Sequence, residues 1–233
     1  MSGSPYDGTL AKTDNLVSAE VVHALPPSQP SKIVCIGSNY RAHCEEMGRD
    51  VPSVPKLFLK PPSALVADGG TIELPPDVGR VDFEGELAIV IGRKTRRIAA
   101  SDVAEHILGY TVLNDVTARQ IQRSDVQFTR AKGFDTFCPA GPWIETELNA
   151  HADPNDLYLR TRVNGEMKQD SRTSDMVFGP SELVSFISHV MTLEPGDIVS
   201  TGTPSGVGPL SIGDLVSIEI EGIGRLENRV VSQ

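Results

Sequence analysis

The sequence predicts an α+β fold in which β-structure dominates. Three observations carry that reading. Short aliphatic and β-branched runs of strand length recur at 32–37, 56–60, 85–92, 108–113, 157–163, 196–200 and 213–220. Turn signals punctuate these runs: Asp68-Gly69-Gly70, Asn164-Gly165, Gly196-Asp197 and Gly213-Asp214. Segments with helical spacing are few and short. The 233 residues suffice for one domain with a sizeable core. A polar arm, Pro-rich towards its end, is expected over residues 1–31, ahead of a domain over 32–233.

The elements follow in order. Residues 32–37 read as a buried strand, and Ser38-Asn39 as a turn with capping residues. Residues 40–47 read as a short helix ended by Gly48. On it His43 and Glu46 are three apart and share a face. A carboxylate beside an imidazole raises its basicity and fixes its tautomer, so the pair can activate water or form a surface ion pair. After the strand at 56–60 comes Val81-Asp82-Phe83-Glu84-Gly85-Glu86-Leu87, running into a buried aliphatic strand closed by Gly92. Asp102 is placed to cap a short helix, with Glu105 at the capping-box position.

A strand at 108–113 ends at Asn114-Asp115, and residues 116–123 read as a helix. Asp115 then lies at a strand-to-helix junction, suited to a ligand or an N-cap. Arg119 and Gln122 share a helix face and can present donors to a carboxylate. Lys132 is flanked by Gly133 and apolar residues, a setting for partial burial and a lowered pKa if no carboxylate compensates. Asn164-Gly165 marks a hairpin between 157–163 and 166–169. Leu183, Phe186, Ile187, Val190 and Met191 form the stripe of an amphipathic helix, with Ser181 as N-cap and His189 on the exposed or boundary side. In the Gly-rich loop 201–209, backbone N–H groups and the Thr203 hydroxyl can approach an anion closely. That loop has no Walker lysine and no following helix, so it is not a P-loop.

The chemistry centres on Glu84 and Glu86. On a strand, residues two apart share a face, with Cα atoms about 6.5 Å apart. Two carboxylates at ~4 Å repel by about 4 kcal/mol at an effective dielectric near 20. Either they stand in open water or a cation lies between them. Oxygen-only ligands suit a hard ion such as Mg2+ or Mn2+. Two same-face glutamates could also serve a glycosidase, but aromatic residues make up only 5% and there is one Trp, too few for sugar-stacking platforms.

With 21 basic and 31 acidic residues the formal charge is −10, which argues against nucleic acid or an anionic membrane as main partner. An anionic small substrate remains compatible, because a metal ion inverts the local field. Cys35, Cys44 and Cys138 are odd in number and scattered, as expected of reduced cytoplasmic thiols. There is neither an apolar signal segment nor a run of the ~20 apolar residues a membrane helix needs.

Gly37-Ser38-Asn39-Tyr40-x-x-His43, Leu57-Phe58-Leu59-Lys60-Pro61, Val81-Asp82-Phe83-Glu84-Gly85-Glu86-Leu87, Asn114-Asp115-Val116-Thr117-Ala118-Arg119, Lys132-Gly133-Phe134-Asp135-Thr136-Phe137-Cys138-Pro139 and Thr201-Gly202-Thr203-Pro204 occur in this order. From residue 32 onward the chain thus resembles the fumarylacetoacetate hydrolase family. Its compact length is similar to the acylpyruvase and oxaloacetate decarboxylase branch, with the 2-hydroxyhepta-2,4-diene-1,7-dioate isomerase branch as the alternative. The resemblance implies a mixed β-sandwich roll, usually a homodimer, and Mg2+ or Mn2+ held by Glu84, Glu86 and Asp115. It implies catalytic roles for His43, Glu46 and Lys132, and substrate-carboxylate contacts from Arg119, Gln122 and Thr203. The implied activity is metal-dependent hydrolysis of a C–C bond in acylpyruvate-type 2-oxo acids, with oxaloacetate decarboxylation as a companion reaction. Ser38 stands where many relatives carry Arg, so a substrate contact at that position is not carried over.

Overall fold

The structure is a computed structural model that describes residues 4–6, 9, 11 and 24–233. Most of the arm expected over residues 1–31 lies outside the described residues. The strands are β1 (Ile33–Gly37), β2 (Lys56–Lys60), β3 (Leu65–Val66), β4 (Thr71–Leu74), β5 (Val81–Phe83), β6 (Gly85–Ile91), β7 (Ile107–Asn114), β8 (Thr117–Ala118), β9 (Cys138–Glu145), β10 (Tyr158–Val163), β11 (Glu166–Arg172), β12 (Ile198–Ser200), β13 (Gly208–Pro209), β14 (Leu215–Ile220) and β15 (Gly224–Ser232). The helices are α1 (Arg41–Glu46), α2 (Arg119–Ser124), α3 (Thr129–Lys132), α4 (Leu148–His151) and α5 (Pro180–Val190).

Three sheets build the body. A seven-stranded sheet runs β2-β1-β12-β6-β7-β9-β3, a five-stranded one β11-β10-β14-β15-β4, and a small one β13-β5-β8. The main core lies between the two large sheets. Val34, Leu87, Ile89 and Val112 from the first meet Leu159, Ile218, Ile220 and Leu226 from the second. Alternation along β6 turns Ala88 to the opposite face, where it packs with Ile33, Cys35, Leu113, Cys138 and Ile198. A strand covered on both faces carries an unbroken apolar run, as residues 87–91 of β6 do; all seven residues of the strand are buried. Glu86, two residues before Ala88, shares the face away from the main core.

Local expectations meet local structure in most places. The Asn164-Gly165 hairpin forms with φ of 53° and 82° at the two turn residues. Gly196 and Gly213, at φ 88° and 95°, turn the chain into β12 and β14. Four boundaries differ. The expected helix at 116–123 begins only at Arg119, because Thr117–Ala118 pair with β5 first. The amphipathic helix starts earlier, at Pro180, capped by Gly179 and Glu182 rather than by Ser181; proline at the first position needs no N–H partner. Asp102 lies inside a 3-10 turn, Ala100–His106, and caps nothing. Asn39 does not cap α1: its side chain donates to the carbonyls of Thr201 and Phe178, tying that turn to the chain leaving β12.

Candidate active site

The extended run around Glu84 is broken at that residue, between β5 and β6. Its backbone remains bonded: Glu84 N–H donates to Asn114 Oδ1 at 3.0 Å, and its carbonyl accepts from Asp115 N at 2.8 Å. The next residue must be glycine. A Cβ on Gly85 would lie 2.5 Å from Thr161 Oγ1 and 3.1 Å from Gln169 Oε1, so the backbone is pressed against the second sheet. The side chains of Glu84 and Glu86 turn the other way. The register Gly85↔Asn114 between β6 and β7 delivers Asp115 beside them. One carboxylate oxygen from each of Glu84, Glu86 and Asp115 lies within 4.8 Å of the others, and all three residues are buried.

Cations surround this trio. Lys132 Nζ donates to Glu84 Oε2 at 2.8 Å and, by a very short contact, to Asp115. Lys60 Nζ holds the other Asp115 oxygen at 2.7 Å. Arg119 pairs with Asp82 at 2.7 Å and with Glu84 at 2.6 Å. The lowered pKa at Lys132, expected only if no carboxylate compensates, does not arise, because Glu84 and Asp115 do compensate. Burial alone would lower it, but Asp115 and Glu84 outweigh burial and raise it. Glu84 is likewise opposed by burial yet held well below the usual carboxylate range by Lys132 and Arg119. Glu86 is the exception. Burial and the neighbouring Asp115 and Glu84 push it up to about 8, despite donors from Ser200 Oγ and Gly202 N–H.

The donor set fits a hard divalent cation. It consists of oxygens alone, with no thiolate or imidazole within the trio. The place between Glu84 and Asp115 suits positive charge, since the Lys132 ammonium lies across it. Among the described residues Glu86 is the member of the trio whose carboxyl is pushed up by burial and by its two carboxylate neighbours, so it has the most to gain from a cation.

One cavity is lined by Glu84, Glu86, Lys132, His43, Arg119, Gln122 and Thr203, with Phe58 and Phe128 as apolar wall. His43 Nδ1 lies 3.1 Å from Glu46 Oε2, and the other Glu46 oxygen accepts the Gly206 N–H at 3.0 Å. Glu46 itself lines an adjoining cavity of about 450 Å³ that shares Arg119 and Gln122. Arg119 does not present a free fork, because its guanidinium is committed to Asp82 and Glu84 and also donates to Gln122 Oε1 at 3.0 Å. Thr203 Oγ1 accepts from Gln169 Nε2 at 2.8 Å, leaving its own proton to donate.

Sequence reasoning missed Lys60, Asp82, Ser200 and Gln169 as members of this neighbourhood. A signal existed for the first two: each is a charge set among residues that read as buried strand. Ser200 and Gln169 had none, since a neutral polar residue on a strand is ordinary.

No helix among the described residues is long and apolar enough to cross a membrane. The family profile Fumarylacetoacetate (FAA) hydrolase C-terminal matches residues 32–231. A mitochondrial oxaloacetate tautomerase of Bos taurus is 45% identical over 93% of this chain and 71% of its own length. The oxaloacetate tautomerase YisK of Bacillus subtilis is 42% identical over 90% of this chain and 72% of its own. The crystal structure of a 5-carboxymethyl-2-hydroxymuconate delta-isomerase from Mycobacterium smegmatis superposes with a TM-score of 0.83, at 53% identity over 90% of this chain and 82% of that one. The family profile and these relatives cover nearly the whole of the chain from residue 32 onward, and the protein belongs to the fumarylacetoacetate hydrolase family of enzymes.

Proposed function

We propose that the protein is a divalent-metal-dependent enzyme that forms and reprotonates the enolate of a 2-oxo acid, moving a proton on the carbon next to the keto group. The observation that carries this reading is the buried Glu84–Glu86–Asp115 trio, with one oxygen from each within 4.8 Å of the others, of which Glu84 and Glu86 line the cavity that His43 also lines. Relatives named oxaloacetate tautomerase and delta-isomerase are named for proton shifts, in keeping with that chemistry.

A cation held by Glu84, Glu86 and Asp115 would supply Lewis acidity beside the 2-oxo group. The chain's own residues do the rest. Lys132, kept protonated by its carboxylate neighbours, places an N–H donor where negative charge grows on the keto oxygen. His43 takes the proton from carbon and returns it. Glu46 fixes the His43 tautomer, and the Gly206 N–H fixes Glu46 in turn. The Gln122 amide and the Thr203 hydroxyl, each already receiving a hydrogen bond, keep donors for the substrate carboxylate. Phe58 and Phe128 limit the water that could intercept the enolate.

A second reading is hydrolysis of the C–C bond of an acylpyruvate, with the same enolate as leaving group. The His43–Glu46 pair favours it, because such a pair can take a proton from water as readily as from carbon. A panel with Mg2+ and Mn2+ tests both: keto–enol interconversion of oxaloacetate, isomerisation of a hydroxylated dienedioate, and cleavage of acetylpyruvate. Metal-stimulated proton transfer is the expected result. Full activity in a strong chelator would overturn the proposal, and cleavage of acetylpyruvate to pyruvate and acetate without tautomerisation would replace it with the hydrolytic reading.

A further inference from the structure

We infer that Gln169 is a positioning residue that sets the metal-ligand pair and the substrate loop in register with one another; this rests on the reading of the site just given. Gln169 lies on β11, is 1% exposed, and sits across from Thr161 of β10. Its amide makes four hydrogen bonds. Oε1 accepts from Gly85 N–H at 3.1 Å and from Thr161 Oγ1 at 2.7 Å. Nε2 donates to Thr203 Oγ1 at 2.8 Å and to the Pro204 carbonyl at 2.9 Å. The orientation of the amide follows from its partners: a backbone N–H can only donate and a backbone carbonyl can only accept.

Each bond lands on a working part of the site. Gly85 is the residue between Glu84 and Glu86, so the Gln169 oxygen fixes the peptide that sets the spacing of the two carboxylates. Thr203 is a substrate-side donor, and Pro204 belongs to the same loop. That loop is pressed onto β11 beside Gln169: a Cβ on Gly206 would lie 2.1 Å from the Lys168 carbonyl, and Gly206 N–H holds Glu46. One buried amide thus ties the carboxylate strand to the loop that carries Thr203 and steadies the His43–Glu46 pair. It touches no reacting atom and acts through the groups it holds.

Titration of the full chain with Mn2+, then with oxalate on the Mn2+-loaded protein, tests this. Gln169→Met keeps the size and loses all four bonds; Mn2+ binding should weaken by about tenfold or more, as for other groups that orient metal ligands, and oxalate binding should weaken as well. Gln169→Glu keeps an acceptor for Gly85 but loses the donor to Pro204; Mn2+ binding should recover most of the loss while oxalate binding does not. Thr173→Val is the control. Its hydroxyl is buried and accepts the Leu157 N–H at 2.8 Å, away from the site, so melting should fall with Mn2+ binding unchanged. If Gln169→Met melts lower but binds Mn2+ and oxalate as the parent does, or if Gln169→Glu shifts both ligands equally, the inference is overturned. Should Gln169→Met fail to fold, the split in Gln169→Glu decides alone. A parent protein that binds no Mn2+ would sink the functional reading instead.

Discussion

Asp197 and Glu86 are both buried carboxylates flanking the same sheet, at 0% and 1% exposure, and the fold treats them in opposite ways. Asp197 is surrounded by donors. It accepts from Ser31 N–H at 2.9 Å, Ser31 Oγ at 2.7 Å, Lys32 N–H at 3.1 Å and Glu194 N–H at 2.8 Å, and it pairs with the Lys32 ammonium. Burial works against its ionisation, but these donors win and its pKa is lowered. Glu86 has two donors and two carboxylate neighbours, and its pKa is raised. The contrast separates structure from function. A carboxylate that holds a fold together is satisfied by the chain itself; one left facing its own kind is where a cation from outside the chain could be held.

Glu84→Gln attacks the unsatisfied cluster directly. It should abolish divalent-metal binding and turnover together, read by Mn2+ titration and by assay, and retention of both would break the comparison. His43→Ala should keep Mn2+ binding and lower kcat by about 10²–10⁴-fold, the usual worth of a general base. Lys132→Met removes the cation lying across Glu84 and Asp115. The metal-free protein should lose about 3–5 kcal/mol, the typical cost of an orphaned buried charge, while saturating Mn2+ restores more of its melting temperature than it adds to the parent. Asp197→Asn should cost about 1–3 kcal/mol through imperfect satisfaction of its donors, with Mn2+ affinity unchanged.

The pH dependence sharpens the same comparison, and its sign differs between the two residues. Glu86 has a folded-state pKa of about 8 against an ordinary value of 4.5, so the metal-free fold binds more protons than the unfolded chain between those limits. Its contribution to stability is therefore lost as pH rises through that window. Cation binding over the same range should release a proton, seen as buffer-dependent heat in calorimetry. Asp197, lowered from 3.8, contributes stability above that value that is lost only as pH falls through its folded-state pKa. Equal pH behaviour in Glu86→Gln and the parent would remove the distinction.

Much of this was legible in residue order. Asn164-Gly165, Gly196-Asp197 and Gly213-Asp214 mark turns because their backbone conformations suit those residues whatever surrounds them. The aliphatic run 87–91 shows a strand covered on both faces. The pairing of His43 with Glu46 is a spacing within one helix, and Glu84 and Glu86 are two residues apart on one extended run, so both are short-range and legible in residue order. Periodicity could not see that Thr117–Ala118 would pair with β5 before the helix began, nor that Arg119 would spend its guanidinium on Asp82 and Glu84. The state of Lys132 was out of reach for the same reason. Its neighbours in the chain are apolar, while Asp115 and Glu84 come from β7 and the β5–β6 break.

Residue order alone determined that this chain is strand-rich, where its turns fall, and that it carries an oxygen-rich acidic motif, because propensity, alternation and turn chemistry act over a few residues. Only the tertiary structure decided which charges meet. Sheet register set Asp115 beside Glu84 and Glu86, brought Lys132 and Lys60 against them, and placed Gln169 under Gly85. In a buried setting of low dielectric, contacts at 2.7–3.1 Å outweigh anything sequence neighbours contribute.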